Sequence, residues 1–362
     1  MHKRRILIIS TVGLMYDGIT SVITSYLESM DLSNLDIRLV GTIKVEPTIR
    51  NKIETLGCEI IDFPNRKTET FKYFCRLKRY VRQERIEVVH AHGNSGTLAI
   101  DLLAAKLGGA EKRIAHSHNT RCDQVIADKL LRPLFYKLYT DGLACGREAG
   151  EWLFRGRPFK IISNGRSVEK YRFNQEIRSM MREKYGFGNM LVIGHVGGFV
   201  EQKNHAFLIK IFREVLLVKK DIKLVLIGDG ILRSAIEESA ADLKDKVYFI
   251  GTTDKVENYL NMMDIMLLPS LFEGLPLVAI EWQINGLPCL ISDTVTKECA
   301  LSKMVEFVPL ELGAAGWAKK IIEHKFNTKR IEDSLEAILA IKKAGFDIRQ
   351  NAENMELLYE ST

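Results

Sequence analysis

The chain lacks the patterns that mark secreted, zinc-binding or membrane-spanning proteins. Its six cysteines contain no Cys-x-x-Cys pair, which argues against a disulfide framework or a zinc site and is typical of a reducing cytoplasm. No apolar stretch approaches the roughly 20 residues that span a bilayer. The basic start at residues 2–5 has the charge of a signal peptide, but the apolar run behind it is short and is broken at residues 10–13. We therefore expect a cytoplasmic protein, whose only contact with the inner face of the cell membrane would be peripheral.

Extremes of composition are also absent. The 362 residues are 46% hydrophobic and 27% charged, as in ordinary soluble enzymes, and the length suits two domains. The net charge of +6 is unevenly spread: residues 1–180 carry 30 Lys and Arg against 20 Asp and Glu, whereas residues 181–362 carry 22 against 26. This asymmetry indicates an anionic partner for the N-terminal half. A nucleic acid is not expected, because the charge is mild and no nucleic-acid-binding motif accompanies it.

Strand and helix patterns alternate along the chain, which predicts parallel sheets covered by helices on both faces. Apolar strands are predicted in two series, at residues 5–10, 37–40, 59–63, 86–90, 113–116 and 142–145, and then at residues 190–197, 223–228, 247–250, 265–268 and 289–292. We expect two doubly wound α/β domains, at residues 1–168 and 169–344, followed by a helix within residues 345–362. Ligands of such sheets lie beyond the carboxyl ends of the strands.

Residues 264–293 are the most informative stretch, because they have the pattern of a strand, a loop, a helix and a second strand. The candidate residues of the loop and the helix start are Glu273, Gly274, Leu275, Pro276 and Leu277. Free backbone N–H groups at such a helix N-terminus favour a phosphate or diphosphate. Glu273 and Glu281 could each accept hydrogen bonds from the hydroxyls of a polyol, as a nucleotide sugar requires. The alternative is that both are ordinary helix residues, one at the N-terminus and one in solvent.

The segment Pro-Ser-Leu-Phe-Glu-Gly-Leu-Pro-Leu-Val-Ala-Ile-Glu, residues 269–281, resembles the Glu-x7-Glu signature of the retaining glycosyltransferases of family 4. This is the group 1 family with the GT-B fold, and the resemblance extends over nearly the whole chain. It implies that Glu273 holds hydroxyls of the donor sugar near the reacting carbon and that Glu281 holds the ribose. It also implies two Rossmann-like domains facing a central cleft, with the last helix crossing back to the first domain.

Other loops of the second half resemble donor-binding elements of that family. Residues 194–204 resemble its Gly-Arg-x4-Lys loop, which implies that Lys203, with Asn204 beside it, faces the donor diphosphate. The arginine position is occupied by Gly198, a departure from the family pattern that requires another cation or weakens phosphate binding. Loops 228–230 and 251–253, which include Gly251, resemble the pieces that hold the nucleotide base. Taken alone, each is nearly as typical of a surface turn.

In the first half, the loop at residues 13–19 resembles the glycine-rich, acceptor-side loop of the family. Its candidate residues are Gly13, Asp17 and Gly18, and Asp17 departs from the pattern because a second glycine is common there. An ordinary strand-to-helix turn is an equally good interpretation of each residue.

Four histidines fall in two His-x-His clusters, at residues 90–92 and 116–118. No Cys, Asp or Glu ligand set accompanies them at the spacing of a metal site, so no metal is expected. The resemblance implies that His118 faces the cleft, hydrogen-bonds to the donor sugar or the acceptor and helps proton movement. His90 and His116 are equally open to a structural role.

Two segments, residues 71–85 and 130–139, interleave aromatic and aliphatic side chains with Lys and Arg. Such helices can lie in the headgroup region of an anionic membrane. More often, helices of this composition are domain helices with an apolar face inward and a solvated basic face.

Taken together, the residues and the resemblance predict a retaining glycosyltransferase. It would move a hexosyl group from a UDP-sugar to a glycan or lipid-diphosphate-linked acceptor in the assembly of a cell-surface capsule or exopolysaccharide. The chain has no Asp-x-Asp pair, and by the resemblance neither a metal nor another cofactor is expected. Two alternatives stay open: a nucleotide-sugar epimerase of the same fold, which would need no acceptor, and a non-catalytic relative that binds the nucleotide sugar, which the departure at Gly198 makes conceivable.

Overall fold

A computed structural model of the chain describes residues 3–120, 122, 124–324 and 329–361. The chain forms two compact units. The first runs to Gly165 and also contains the segment from Gly345 onward, and the second is Arg166–Ala344. The first unit is therefore discontinuous in sequence, because the second is inserted before its last helix.

The first unit is built on seven strands: β1 (Arg4–Ser10), β2 (Leu35–Gly41), β3 (Glu59–Asp62), β4 (Val88–His92), β5 (Lys112–Ser117), β6 (Asp141–Ala144) and β7 (Lys160–Ile161). Their order in the sheet is β3-β2-β1-β4-β5-β6-β7, and each neighbouring pair is parallel. The helices that connect them are α1 (Gly18–Ser29), α2 (Pro47–Thr55), α3 (Thr70–Gln83), α4 (Ala99–Gly108), α5 (Val125–Phe135) and α6 (Arg147–Phe154).

Helices cover both faces of this sheet, so its central strands are apolar throughout rather than alternating. In β1, Ile6 and Ile8 belong to the core beneath α1 and α2, while Leu7 and Ile9 belong to the core beneath α3 and α4. The strand order reverses between β1 and β4. Loops that follow two such strands diverge to opposite faces and leave room for a ligand.

The second unit begins with α7 (Val168–Tyr171) and α8 (Gln175–Lys184). Its six strands are β8 (Leu191–Val196), β9 (Ile222–Ile227), β10 (Val247–Gly251), β11 (Ile265–Leu268), β12 (Cys289–Ser292) and β13 (Val305–Val308). The remaining helices are α9 (His205–Val218), α10 (Arg233–Ser239), α11 (Val256–Met262), α12 (Leu277–Ile284), α13 (Gly313–Glu323) and α14 (Arg330–Lys343). The sheet order β10-β9-β8-β11-β12-β13 is again parallel and reverses between β8 and β11.

The last helix, α15 (Ile348–Glu360), packs on α1 and β1 of the first unit. Its residues Met355 and Tyr359 are buried in the same core as Ile6. Its C-terminal end is held by Lys112 of β5, whose Nζ donates to the carbonyl oxygen of Leu358 at 2.8 Å. A cation at a helix C-terminus is stabilising, because unpaired carbonyl groups accumulate there.

The predicted fold class is confirmed, since both sheets are parallel and doubly wound. Two strands were missed from the sequence. β7 has only two residues and both are exposed, and β13 is an edge strand whose burial is incomplete, so neither has the long apolar run that marks a central strand. The helix predicted at residues 130–139 begins earlier, at Val125, and ends at Phe135. Among the described residues, every helix is too short or too polar to cross a bilayer.

A buried ion pair links the helices on one face of the first sheet. The Asp101 carboxylate on α4 receives a hydrogen bond from Arg66 Nη2 at 2.6 Å and another from the Tyr73 hydroxyl on α3 at 2.8 Å. Arg66 also donates to the carbonyl oxygen of Thr97 at 2.9 Å. Because both charges are nearly inaccessible to water, loss of one partner would leave the other buried and uncompensated.

We expect Asp101→Ala to lower the free energy of unfolding by about 3–5 kcal/mol, because the Arg66 guanidinium would remain buried without its counter-charge. The matched control is Asp62→Ala, which removes the partner of Arg50 in an exposed pair with an N–O distance of 2.6 Å. That change should cost less than about 1 kcal/mol. Urea unfolding of both variants measures the difference, and equal losses would contradict the assigned role of the buried pair.

Candidate active site

The N-terminus of α12 opens at the carboxyl edge of the second sheet. β11 ends at Leu268, an eight-residue loop follows, and α12 begins at Leu277 after Pro276. Proline suits this position because the first amides of a helix have no partner inside it. No side chain caps this helix end. Its positive end therefore remains available to an anion.

Glu273 lies in that loop and is held by three side-chain donors. Lys203 Nζ lies 2.5 Å from Glu273 Oε1, the Ser270 hydroxyl donates to the same oxygen at 2.8 Å, and Gln202 Nε2 donates to Oε2 at 3.0 Å. Little of either charged side chain is exposed. The carboxylate and the ammonium group are thus fixed next to each other with their charges balanced.

Backbone contacts align the two loops that carry this pair. The amide of Leu271 donates to the carbonyl oxygen of Gln202 at 2.8 Å, and Asn204 Nδ2 donates to that of Pro269 at 3.2 Å. Asn204 has φ 57°, a left-handed conformation that asparagine tolerates better than most residues. These two loops follow β8 and β11, the strands between which the sheet order reverses. The site therefore lies where a doubly wound sheet binds ligands.

The glycines predicted to bind donor lie on neighbouring loops of the same edge. Gly228, after β9, has φ 138°, and a Cβ atom there would lie 2.1 Å from the carbonyl oxygen of Gly197. This close approach of two backbones requires glycine. Gly198 is under no such constraint, since a Cβ atom there would lie 3.5 Å from its nearest neighbour, the carbonyl oxygen of Asp229, which is an ordinary contact distance. The carbonyl group of Gly251 accepts the amide of Gly228 at 2.9 Å, which joins the loops after β9 and β10.

Arg233 is a cation of this edge that was not identified from the sequence. Its Nη1 would lie 3.2 Å from a Cβ atom on Gly251. The guanidinium also pairs with Asp229 at 3.5 Å and with Glu237 at 2.7 Å. It stands on α10 rather than in a loop, and nothing in the local sequence distinguishes it from a solvated helical arginine.

Glu281 lies one turn into α12 and is buried rather than solvated. Its Oε1 lies 2.8 Å from Arg166 Nε, and it also shares a hydrogen bond with the hydroxyl of Tyr171. Burial raises the pKa of Glu281, although the Arg166 guanidinium acts in the opposite direction. The carboxylate predicted to hold ribose therefore has internal partners already. Neither Arg166 nor Tyr171 could be found from the sequence, because both are remote from Glu281 in the chain.

The acceptor-side candidates of the first unit surround the start of α1. A Cβ atom on Gly13, which has φ 91°, would lie 2.6 Å from the carbonyl oxygen of Lys44, so glycine is required there. Asp17 caps α1: its Oδ1 accepts the amides of Ile19 at 2.8 Å and Thr20 at 3.0 Å. Gly18 has open space around its Cα. The departure from glycine at residue 17 thus has a structural explanation, and an acceptor role for these residues stays a prediction.

The four histidines form a two-layered ladder at the end of β4 and β5. His90 Nε2 and His116 Nδ1 are 3.2 Å apart in nearly parallel rings, and His92 Nδ1 and His118 Nε2 are 2.8 Å apart. The layers stack, with ring centroids 4.1 Å apart for His90 and His92 and 4.2 Å apart for His116 and His118. The hydroxyl of Tyr359 on α15 lies 2.7 Å from His90 Nδ1.

Burial makes the ladder neutral. It lowers the pKa of all four rings, and that of His118 to about 3. His118 Nδ1 and His116 Nε2 have no hydrogen-bond partner. His90, His92 and His116 place ring nitrogens within 4.8 Å of one another, while His90 pairs with His116 and His92 with His118. At neutral pH, His118 can thus donate or accept one hydrogen bond but carries no charge.

The predicted site residues fall into three groups. Lys203 contacts Glu273, Asn204 donates to the carbonyl oxygen of Pro269 in the loop that carries Glu273, and Gly198 and Gly251 lie on adjoining loops. Gly274, Leu275 and Pro276 lie in the loop before α12 and Leu277 is its first residue, whereas Glu281 lies one turn into the helix and is buried. Gly13, Asp17, Gly18 and His118 belong to the first unit. Gln202 and Ser270 were missed, although each is next to or within a loop that the sequence singled out.

The neutral ladder predicts a loss of stability in mild acid. The unfolded chain binds protons at histidine near pH 6.5, whereas folded His118 binds one only near pH 3. The contribution of His118 to the free energy of unfolding is therefore complete above about pH 6.5 and decreases as the pH falls. Between pH 7 and pH 5 this contribution should decrease by up to about 2 kcal/mol. Unfolding of the wild type and His118→Gln at both pH values measures this, and an unchanged pH dependence in the variant would refute it.

Sequence comparison links the chain to known proteins over most of its length. Residues 191–324 match the family model of the group 1 glycosyl transferases. The chain is 31% identical over 357 residues to EpsF of Bacillus subtilis, a protein assigned to the glycosyltransferases, and the match covers 94% of this chain and 92% of that protein. It is 26% identical over 264 residues to the UDP-Gal:α-D-GlcNAc-diphosphoundecaprenol α-1,3-galactosyltransferase of Escherichia coli, covering 67% of this chain and 66% of the relative.

Structural comparison extends to the whole chain. The Anabaena protein Alr3699/HepE, solved in complex with UDP, has a TM-score of 0.77 and covers 99% of this chain and 100% of its own, at 15% identity. That similarity shows the fold, while the match to the Bacillus subtilis protein shows the family. The chain therefore belongs to the group 1 glycosyltransferases and has their GT-B fold.

Proposed function

We propose that the protein transfers a hexosyl group from a UDP-sugar to a lipid-diphosphate-linked glycan, with retention of the anomeric configuration, in the assembly of a cell-surface polysaccharide. The observation that carries the proposal is the Lys203–Glu273 pair beside the uncapped N-terminus of α12. The names of two similar proteins support the substrates. The Escherichia coli relative uses UDP-Gal and a diphosphoundecaprenol-linked acceptor, and Alr3699/HepE binds UDP.

The electrostatics of the site suit a diphosphate leaving group. Without donor, the ammonium group of Lys203 is neutralised by Glu273. When a UDP-sugar binds, its diphosphate accepts N–H groups at the start of α12 and draws Lys203 toward itself. Glu273 is then released to accept hydrogen bonds from hydroxyls of the sugar. Donor binding thus separates the pair: Lys203 interacts with the diphosphate and Glu273 with the sugar of the same ligand.

Transfer with retention involves one face of the sugar. The bond between the anomeric carbon and the diphosphate oxygen breaks while the acceptor hydroxyl attacks the same face, and the proton of that hydroxyl passes to the departing diphosphate. Negative charge grows on the diphosphate, where Lys203 and the helix end stabilise it. These groups supply the charge stabilisation for which other transferases use a metal, so we propose that no metal is required.

The proposal is tested by incubating the protein with a UDP-hexose and a lipid-diphosphate-linked sugar. We expect UDP release that depends on the acceptor, and a product whose new linkage keeps the α configuration of an α-donor by NMR. Glu273→Gln keeps the size of the side chain but removes its charge. It should lower kcat by about 10²–10³-fold. Product of inverted configuration would refute retention, and conversion of the UDP-sugar without acceptor would favour an epimerase.

Lys203→Met should reduce kcat/KM by about 10²–10³-fold, because the diphosphate loses its cation. Lys203→Arg is the matched control: it keeps the charge in a bulkier form and should retain more activity than Met. Steady-state kinetics at saturating acceptor measure both variants. Equal activity of the Met variant and the wild type would contradict a role at the diphosphate.

Glu281→Gln should raise the KM for the UDP-sugar about tenfold with little change in kcat, if Glu281 shares its second oxygen with ribose. The substitution also leaves Arg166 without its buried counter-charge, which lowers stability. The melting temperature of the variant measures this structural effect separately from the effect on KM. Binding of UDP to the variant, measured by calorimetry at a temperature well below its melting point, decides between them. An unchanged affinity for UDP would assign Glu281 a structural role alone.

A further inference from the structure

We propose that the outer face of α14 in the second unit is an interface through which two copies of this chain form an antiparallel, two-fold symmetric dimer. This surface, the apolar stripe of α14, is defined by Ile331, Leu335 and Leu339. It shares no residue with the candidate active site and does not depend on the identity of the reaction.

The outer face of α14 is apolar where a surface helix is normally polar. Ile331 is 52% exposed, Leu335 40% and Leu339 70%. Their spacing of four residues places them in one row along the helix. The opposite face already packs inward through Ala337 and Ile341, which are buried. The helix thus has an apolar row on each side, and an exposed row of large aliphatic side chains marks an interaction surface.

The stripe is held in place from behind, because α14 lies against the C-terminal end of α12. The Ser334 hydroxyl donates to the carbonyl oxygen of Ile284 at 2.6 Å, and Arg330 Nε donates to that of Asn285 at 3.1 Å. A Cβ atom on Gly286 would lie only 2.8 Å from the carbonyl oxygen of Arg330. A surface that is fixed before binding loses little conformational entropy when a partner covers it.

The exposed charges beside the stripe are divided by sign along the helix. Glu332 and Glu336 are exposed in its first half, and Lys343 is exposed at its end. At about 100° per residue, these three side chains lie on the same edge of the stripe. In an antiparallel pair related by a two-fold axis, the same edges of the two copies meet end to end reversed. The acidic half of each helix then faces the basic end of the other, whereas a parallel pair would set like charges against each other.

One register satisfies the apolar row and the charges together. Leu335 of each copy lies opposite Leu339 of the other, so the leucines meet around the two-fold axis. Ile331 is then level with Lys343 of the second copy, whose aliphatic stem can cover it. Glu332 is one residue away from the same level, so its carboxylate can reach the ammonium group of Lys343. Each of these contacts occurs twice by symmetry.

The acids also select between a second copy and a membrane as the occupant. Glu332 and Glu336 would be repelled by an anionic bilayer, whereas a second copy supplies the opposite charge. A single pair of helices is at the low end of the size of specific interfaces, so we expect a Kd on the order of 10 µM.

Sedimentation velocity of the full chain tests the proposal, over a range from about 1 µM to about 200 µM that brackets this Kd. We expect a monomer that converts to a dimer as the concentration rises. Leu335→Gln with Leu339→Gln should raise the Kd at least about 30-fold, because four leucines of the dimer lose their apolar contacts. The melting temperature of the wild type should rise with protein concentration, and that of the variant should not.

Charge reversal tests the antiparallel arrangement. Glu332→Lys alone and Lys343→Glu alone should each raise the Kd at least about fivefold, since two attractive contacts per dimer become repulsive. The two changes combined should restore the Kd to within about threefold of the wild type. Residues 332 and 343 are about 16 Å apart along one helix, so a recovery cannot arise within a single copy.

Matched controls lie on other helices of the second unit. Leu217→Gln removes a leucine that is 72% exposed on α9, and Glu238→Lys reverses an exposed acid on α10. Both should dimerise like the wild type, and melting temperatures at about 1 µM establish that each variant is folded.

Four results would overturn the proposal. The first is a wild type that stays monomeric at the highest concentration, and the second is a dimer that persists in the variant of both leucines. The third is equal weakening by the control variants, which would indicate non-specific association. The fourth is a failure of the combined charge reversal to recover the dimer.

Discussion

Parallel strand pairing is the constraint from which the site follows. In the described part of the chain, each strand of both sheets runs parallel to its neighbours, so all loops after strands emerge at one edge of each sheet. Where the strand order reverses, two of these loops separate and their helices cover opposite faces. In the second unit those loops carry Lys203 and Glu273. The side chains meet because β8 and β11 are neighbours in space although they are far apart in sequence.

The same constraint explains how much could be predicted. Parallel strands buried on both faces are uninterrupted apolar runs, and residues 265–268 or 224–227 show this pattern directly. The loop of Glu273 could also be predicted, because proline and glycine mark both its ends. Edge strands such as β7 and β13 could not, since partial exposure removes the apolar run.

Contacts between residues that are distant in the chain could not be predicted from the sequence. His-x-His spacing places two rings on one side of a strand, but the ladder arises from the register between β4 and β5, which sets His92 opposite His116. Nothing local encodes that register. The same holds for Arg166 and Glu281, where a helix-face glutamate acquires a buried partner from the first residues of the second unit. Asp17 is the opposite case. Its role as a helix cap depends only on residues next to it in the chain, but it was interpreted as a departure from the family's glycine-rich loop.

The discontinuous first unit has a consequence for biosynthesis. On a ribosome, α15 emerges only after the whole of Arg166–Ala344, a delay of roughly ten to forty seconds at ordinary elongation rates. Until then, the sheet face that Met355 and Tyr359 cover is incomplete, and the ring of His90 lacks its tyrosine partner. The nascent protein therefore carries an uncovered apolar surface while its later-encoded half is already able to fold. Apolar surface that is exposed in this way during synthesis favours aggregation until the last helix covers it.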